Sequence, residues 1–119
     1  PLYEPQGAAF ISGIGSDIAE PGTTEICYDR IPRETLKERF LLTNATGALL
    51  PLIRQPILIL QSRRDNVVDP QNAPRIATSV TSSDIQLGWL ERSYHVATLD
   101  YDRGLIAERI TGFLQRCTA

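Results

Sequence analysis

The sequence predicts an α/β fold built on parallel strands, and three observations lead to that prediction. Pro56 opens the run Ile57–Leu60, four consecutive apolar residues that are typical of a strand buried on both faces. Apolar residues at helical spacing follow over 70–80, and a second strand-like segment begins at Ile85. A further helical pattern fills the last part of the chain. The order strand, helix, strand, helix predicts a βαβ unit with a right-handed crossover and a closing helix.

The first fifty residues predict a less regular, lid-like region over 1–50. Residues 1–25 are rich in glycine and proline and show no sustained period, so a loop or lid is expected there. Pro32 suits the first turn of a helix that is expected to run to about Leu42. The sequence Asn-Ala-Thr-Gly at 44–47 is expected to end that helix, and a short apolar segment follows it.

The remaining residues, 51–119, form the predicted βαβα part of the chain. Asp69 is expected to cap a helix whose first residue is Pro70 and whose last residue is about Val80. The apolar face expected for this helix consists of Ala73, Ile76, Ala77 and Val80. Asp100 is expected to cap the final helix. The apolar spacing of that helix comprises Ile106, Ile110, Phe113, Leu114 and Cys117.

The composition is that of an ordinary globular domain of 119 residues, with 42% apolar and 22% charged residues. A net charge of −2 gives no basic patch for nucleic acid, and the apolar runs are too short to span a bilayer. No signal peptide is recognisable, so we expect a cytoplasmic protein with reduced Cys27 and Cys117; a single disulfide remains an alternative. The chain begins at Pro1 and contains no methionine, which indicates a fragment or a processed chain.

An acid and a base follow the two predicted strands. Asp65 lies in the segment after the first strand, and His95, the only histidine, lies in the segment after the second. Reactive groups gather beyond the carboxyl ends of parallel strands, so both side chains are expected at one edge of the sheet. A carboxylate there can accept the Nδ1 proton of the imidazole and stabilise the imidazolium, as in a hydrolytic triad. Taken singly, a loop histidine is more often a surface residue, and Asp65 alone resembles a turn residue.

From about Gly13 to Arg116 the chain resembles the C-terminal half of α/β-hydrolases of the carboxylesterase and bacterial monoacylglycerol lipase type. The resemblance is carried by PILILQSRRDNVVDP at 56–70, LERSYHVATLDYDR at 90–103 and ERITGFLQR at 108–116. It implies the C-terminal part of an α/β-hydrolase fold, with the last two parallel strands and their flanking helices preceded by a cap-like segment. It also implies that Asp65 is the triad acid and His95 the base, in the family's chain order of nucleophile, acid and histidine.

The nucleophile of that family, a serine in a G-x-S-x-G elbow between a strand and a helix, has no match in this sequence. None of the seven serines is flanked by the elbow glycines. Ser16 comes closest, but it has isoleucine two residues before and two residues after it. Ser62 and Ser93 lie beside the acid and base segments without an elbow. We therefore expect the serine that His95 would serve to lie outside this chain.

The resemblance implies a carboxylic ester hydrolase of the serine-hydrolase type that acts on a small acyl ester, without a metal or cofactor. The expected partner is the N-terminal half of the hydrolase or a second copy of this chain, and the chain alone is expected to be inactive. Two alternatives stay open. One is a non-enzymatic interaction or structural module with a vestigial dyad, and the other is an α/β-hydrolase of different chemistry, such as an epoxide hydrolase or a dehalogenase.

Overall fold

Two small sheets and three α-helices make up the residues that the structure, a computed structural model, describes, which are 9–13 and 15–118. In chain order the elements are β1 (Phe10–Ser12), β2 (Arg30–Pro32), α1 (Arg33–Leu49), β3 (Ile57–Ser62), α2 (Asn72–Ser79), β4 (Ile85–Leu90) and α3 (Arg103–Thr118). Short 3-10 turns lie at 50–52 and 97–99. The predicted order of strand, helix, strand and helix in the second half of the chain is confirmed.

The parallel pair of β3 and β4 organises the second half of the chain. The two strands are in register from Ile57 opposite Ile85 to Ser62 opposite Leu90, and α2 lies between them in sequence. The predicted parallel sheet of an α/β fold is therefore confirmed. Because the strands run in the same direction and end level with each other, the segments that follow them leave the sheet at one edge.

A small apolar core lies between this sheet and its helices. Among the described residues, the buried apolar side chains are Ala73, Val80, Leu90 and Ile106. Ile57–Leu60 are only half-buried, and Ile110 and Leu114 of α3 are 43% and 54% exposed. The expectation that β3 is buried on both faces is wrong for this chain by itself. The chain supplies α2 and part of α3 as cover, and nothing further within the described residues.

Residues 10–12 form a strand, so the loop expected over 1–25 is wrong at this point. Phe10 and Ile11 have side chains that suit a strand, and β1 pairs antiparallel with β2. Gly13 allows the two segments to approach closely, because a Cβ at this position would lie 2.7 Å from the carbonyl oxygen of Tyr28. Residues 1–8 of the expected loop lie outside the described residues, and 15–25 contain neither helix nor strand.

Helix α1 is longer than predicted, because it continues through residues 44–47. A glycine inside a helix costs only about 1 kcal/mol relative to alanine, which the neighbouring turns can offset. The Thr43 hydroxyl also stays within the helix, where it donates to the Arg39 carbonyl at 2.8 Å. The helix ends where Pro51 follows, since proline has no N–H group with which to continue the hydrogen-bond ladder. No residue of α1 is buried.

Helix α2 begins at Asn72, two residues later than predicted, and Asp69 is not its N-cap. The Asp69 carboxylate accepts the N–H group of Gln71 at 2.9 Å, and the Asp69 carbonyl accepts that of Asn72. These two hydrogen bonds close a turn over Pro70 before the helix starts. Asp69 is therefore a turn residue.

Candidate active site

Asp65 and His95 meet at the carboxyl edge of the parallel strands. The last residues of β3 and β4 lie opposite each other, so the loops that follow leave the sheet side by side. The His95 Nδ1 atom lies 3.0 Å from the Asp65 Oδ2 atom. The hydrogen-bonded pair that the sequence predicted is thus present. It consists of a buried carboxylate, 4% exposed, and a more open imidazole, 39% exposed.

The Asp65 carboxylate is bound at both of its oxygen atoms. Oδ1 accepts the N–H groups of Val67 and Val68, both at 2.9 Å. Oδ2 accepts the side-chain amide of Gln61 at 3.2 Å in addition to His95. Burial is the largest influence and raises the pKa of Asp65, but the hydrogen bonds from Val68, His95 and Val67 together outweigh it. The pKa of Asp65 therefore lies below its ordinary value of 3.8, and the group is ionised at neutral pH.

This geometry fixes the tautomer of the imidazole. A carboxylate only accepts hydrogen bonds, so the neutral His95 ring carries its proton on Nδ1 and has a lone pair on Nε2. Within residues 9–13 and 15–118, no group is hydrogen-bonded to Nε2. The ring borders a cleft of about 360 Å³ whose other lining residues are Leu58, Leu60, Leu90, Ala97, Thr98, Ile106 and Ile110. The imidazole is therefore placed to accept a proton from a group that approaches Nε2.

The serines considered from the sequence hold backbone groups. The Ser62 hydroxyl donates to the Tyr94 carbonyl at 2.7 Å. The Ser93 hydroxyl accepts the Asp102 N–H at 2.8 Å, and the Ser16 hydroxyl accepts the Glu25 N–H at 3.1 Å. In the part of the chain that the structure describes, no serine hydroxyl is hydrogen-bonded to the His95 ring. The described residues thus provide an acid and a base without a nucleophile in contact with the base.

Three aspartates hold the loop that carries His95. The N–H groups of five consecutive residues, 92–96, each donate to an aspartate oxygen at distances between 2.8 and 3.1 Å. Asp102 accepts the first two, Asp100 the third, and Asp17 the last two, the fifth of them through its carbonyl oxygen. Hydrogen bonds to carboxylates are shorter and stronger than those between neutral groups, so they fix the backbone conformation of residues 92–96. Sequence reasoning missed the arrangement, and the acids that follow His95 were its only signal.

The prediction that Asp100 caps the final helix is wrong, because α3 begins only at Arg103. The Asp100 carboxylate is fully buried and accepts four backbone N–H groups at 2.8–3.0 Å. These donors belong to Ala19, Glu20, Tyr94 and Tyr101. Burial raises the pKa of Asp100, and the hydrogen bonds lower it further than burial raises it, to below 3.8. Asp100 therefore ties residues 19–20 to the histidine loop.

Known proteins share this part of the fold. A family model described as Hydrolase_4, serine aminopeptidase S33, matches residues 11–102. The chain belongs to this family. It is 38% identical over 107 residues to the thermostable monoacylglycerol lipase of Bacillus sp. strain H-257, and 32% identical over 89 residues to a carboxylesterase of Bacillus subtilis strain 168. These alignments cover 90% and 75% of this Hydrolase_4 member.

A solved structure extends the similarity to three dimensions. The structure, from work on the metagenome-derived lipolytic enzymes LipS and LipT, matches with a TM-score of 0.88 and 41% identity over 96% of this chain. The chain spans only 46% of that protein, 43% of the Bacillus lipase and 36% of the carboxylesterase. The resemblance to α/β-hydrolases of the carboxylesterase and monoacylglycerol lipase type, and the C-terminal part of that fold, are confirmed for this Hydrolase_4 member.

Three further features of the described residues concern membrane spans, metal sites and cysteines. None of the helices there is long and apolar enough to cross a membrane. No group of three or more His, Cys, Asp or Glu side chains among them could hold a metal ion. Cys27 and Cys117 are exposed free thiols.

Proposed function

We propose that this chain is the acid- and base-bearing part of a carboxylic ester hydrolase of the serine-hydrolase type, in which Asp65 and His95 act with a nucleophile supplied from outside the chain. The observation that carries the proposal is the 3.0 Å hydrogen bond between the two side chains at the edge of the parallel sheet. A general base needs an ionised acid at one ring nitrogen and an open second nitrogen. The names of the relatives, a monoacylglycerol lipase and a carboxylesterase, support a small acyl ester as the substrate.

The proposed reaction proceeds through an acyl-enzyme. His95 Nε2 takes the proton of a serine hydroxyl while the serine oxygen attacks the carbonyl carbon of the ester. The imidazolium, stabilised by the Asp65 carboxylate, gives that proton to the leaving alcohol as the C–O bond breaks, and the acyl group stays on the serine. The neutral imidazole then takes a proton from water, whose oxygen attacks the acyl carbon, and returns the proton to the serine oxygen. Asp65 keeps Nε2 available in every step by holding a proton on Nδ1.

The uncovered surface of the chain supports a partner that brings the nucleophile. The chain exposes 8700 Å², whereas a compact monomer of 13.2 kDa exposes about 6,400 Å². Its radius of gyration is 16.9 Å, against about 13.5 Å for a compact domain of this length. The uncovered surface includes half-buried β3 and the cleft beside His95. The N-terminal half of the hydrolase, or failing that a second copy of the chain, would pack there; with a nucleophile-bearing half in place, we call the complex the assembled hydrolase.

Residues 1–50 are proposed to contribute part of a cap over the acyl site. Helix α1 buries none of its residues, and Phe40 and Leu42 on it are 63% and 68% exposed. An apolar helix surface of this kind suits a cover for the acyl chain of a substrate. The segment 17–20 is attached to the histidine loop as well, so the boundary at residue 50 marks the end of the cap helix rather than the edge of an independent unit.

The 119-residue chain by itself is expected to associate at micromolar concentration. Among the described residues, β3 pairs with β4 alone and has one unpaired edge, and so small a sheet is marginally stable without further strands or packing. Sedimentation velocity should show dimers or larger species, which a nucleophile-bearing N-terminal half should convert to a defined complex. A cooperatively unfolding monomer with no tendency to associate would favour the stand-alone module over the enzyme part.

The assembled hydrolase should hydrolyse short-chain p-nitrophenyl esters, and the isolated chain should not. Initial rates measure turnover, and labelling with a fluorophosphonate reports an activated serine. His95→Ala should abolish both signals, because no other described residue is placed to act as the base. Ser16→Ala is the control that should leave both unchanged, since the Ser16 hydroxyl accepts the Glu25 N–H. Turnover by the isolated chain that disappears on Ser16→Ala would overturn the external nucleophile, and full activity of His95→Ala would overturn the proposed function.

A further inference from the structure

Asp17, in the segment that precedes α1, contacts both loops of the proposed active site. Its Oδ2 atom accepts the backbone N–H of His95 at 3.0 Å and that of Asn66 at 3.2 Å. Its Oδ1 atom accepts the Asn66 side-chain amide at 2.8 Å, and its carbonyl oxygen accepts the Val96 N–H at 3.1 Å. Asn66 follows Asp65 directly in sequence. One residue therefore joins the loop of the acid to the loop of the base through four hydrogen bonds.

The segment that carries Asp17 is anchored by other residues. Two positions further on, the N–H groups of Ala19 and Glu20 donate to the buried carboxylate of Asp100. The Glu20 carboxylate accepts a hydrogen bond from Arg103 at 2.6 Å, which attaches the same segment to the first turn of α3. Asp17 is thus held in place by groups other than those that it binds, so it can act as a fixed point for the two loops.

We infer that Asp17 is a positioning residue, which sets the distance between the acid and base loops so that His95 Nδ1 reaches Asp65. The inference rests on the proposed role of His95 as the base. The imidazole is 39% exposed and lies in a loop without regular structure, so packing alone does not fix it. A single carboxylate oxygen shared by the His95 and Asn66 amides ties the two loops directly to each other. The segment 17–20, assigned from the sequence to the cap, thereby belongs to the catalytic apparatus.

The tautomer of His95 reports this role without any need for activity. His95 is the only histidine of the chain, so labelling the chain with ¹⁵N-histidine gives one pair of ring nitrogen signals. At about pH 9, where histidine side chains are neutral, the wild-type chain should carry its ring proton on Nδ1, because Asp65 accepts it there. Asp17→Ala should shift the ring to a mixture in which Nε2–H predominates.

Asp29→Ala is the matched control for this measurement. Asp29 lies in the same N-terminal region, is exposed, and its carboxylate makes no hydrogen bond within the described residues. The substitution removes the same number of charges and atoms as Asp17→Ala, and it should leave the tautomer unchanged. If Asp17→Ala does not fold, Asp17→Ser replaces it, because a hydroxyl fills the position without reaching both loops. The same shift of tautomer is expected for that variant.

Asp17→Asn distinguishes the effect of the Asp17 hydrogen bonds on the His95 tautomer from the effect of the Asp17 charge. The amide oxygen can keep the two backbone N–H groups that Oδ2 binds, and the Asn66 amide can turn over to accept from the new NH₂ group. We expect this variant to retain the Nδ1–H tautomer. A loss of the tautomer as large as that in Asp17→Ala would show that the charge of Asp17 acts rather than its hydrogen bonds, and would overturn the inference.

Kinetics of the assembled hydrolase provide the second measurement. A displacement of a catalytic group by about 1 Å costs up to about 100-fold in rate, so Asp17→Ala should lower kcat by roughly 10- to 100-fold. KM should stay within about twofold, as should both constants in Asp29→Ala, because neither Asp17 nor Asp29 lines the cleft beside His95. A kcat and a tautomer both unchanged in Asp17→Ala would overturn the inference. A wild-type assembly without esterase turnover that still shows the tautomer shift would reject the proposed function and support the positioning role.

Discussion

In the assembled hydrolase, Asp65→Asn should lower kcat by about 10⁴-fold while the fold stays intact. The amide must place its carbonyl oxygen at the Oδ1 position, because the N–H groups of Val67 and Val68 both donate there. Its NH₂ group then lies against His95 Nδ1, which has to present a lone pair and carry its proton on Nε2. An imidazole in that tautomer cannot take a proton from the nucleophile. Steady-state kinetics on a short-chain ester measures the loss of kcat, and ¹⁵N NMR of His95 measures the change of tautomer.

Asp69→Asn is the matched control, since it makes the same chemical change four residues further along. The amide oxygen can still accept the Gln71 N–H, and the pair with Arg75 at 3.3 Å lies at the surface. Exposed pairs of this kind contribute roughly 0–1 kcal/mol, so a small fall in the unfolding temperature and a kcat within about twofold of wild type are expected. Equal losses of activity in the two variants, without a change in stability, would contradict the division of roles between Asp65 and Asp69.

The parts of the fold that the sequence predicted are those whose signals are local. Ile57–Leu60 marks β3 by composition alone, and the helical spacing from Ala73 to Val80 marks α2. The contact between Asp65 and His95 followed from them by topology, because parallel neighbouring strands deliver their following loops to one edge. No pairwise signal between the two residues was needed.

The contacts that the sequence did not predict depend on backbone N–H groups, which every residue except proline carries. The Asp17 carboxylate accepts the His95 N–H although the two residues are 78 positions apart in sequence, and neither residue type predicts that contact. Asp100 before a helix suits a cap on local grounds, and only tertiary structure shows that its four donors come mostly from elsewhere. The predicted α1 is too short because the local pattern of residues 44–47 indicates the end of a helix. Gly47 disfavours a helix only weakly, and the surrounding turns continue through it.

Asp100→Asn should lower the free energy of unfolding of the assembled hydrolase by about 3 kcal/mol or more. An amide offers one acceptor oxygen where two oxygens now bind four N–H groups, so two donors lose their partner. The new NH₂ group is in addition a buried donor that faces other donors. At roughly 2–4 °C per kcal/mol for a protein of about 150–250 residues, the unfolding temperature should fall by about 6–12 °C. The control is Asp84→Asn, which weakens a partly exposed, two-hydrogen-bond pair with Arg116 and should cost about 1 kcal/mol, well below the loss in Asp100→Asn.

The loss of stability in Asp100→Asn should depend on pH in the direction set by the pKa of Asp100. Burial raises this pKa, but the backbone hydrogen bonds bring it below 3.8, so the folded state favours the ionised form. The stability that such a group contributes is complete above its unfolded pKa and disappears as the pH falls through its folded pKa. The difference in unfolding temperature between wild type and Asp100→Asn should be constant above about pH 5 and shrink below pH 3.8, because protonated Asp100 then resembles the amide. Thermal unfolding from pH 7 down to the lowest pH at which both proteins fold measures it. A difference that stays unchanged over this whole range would mean that the loss of stability in Asp100→Asn does not arise from the ionised carboxylate.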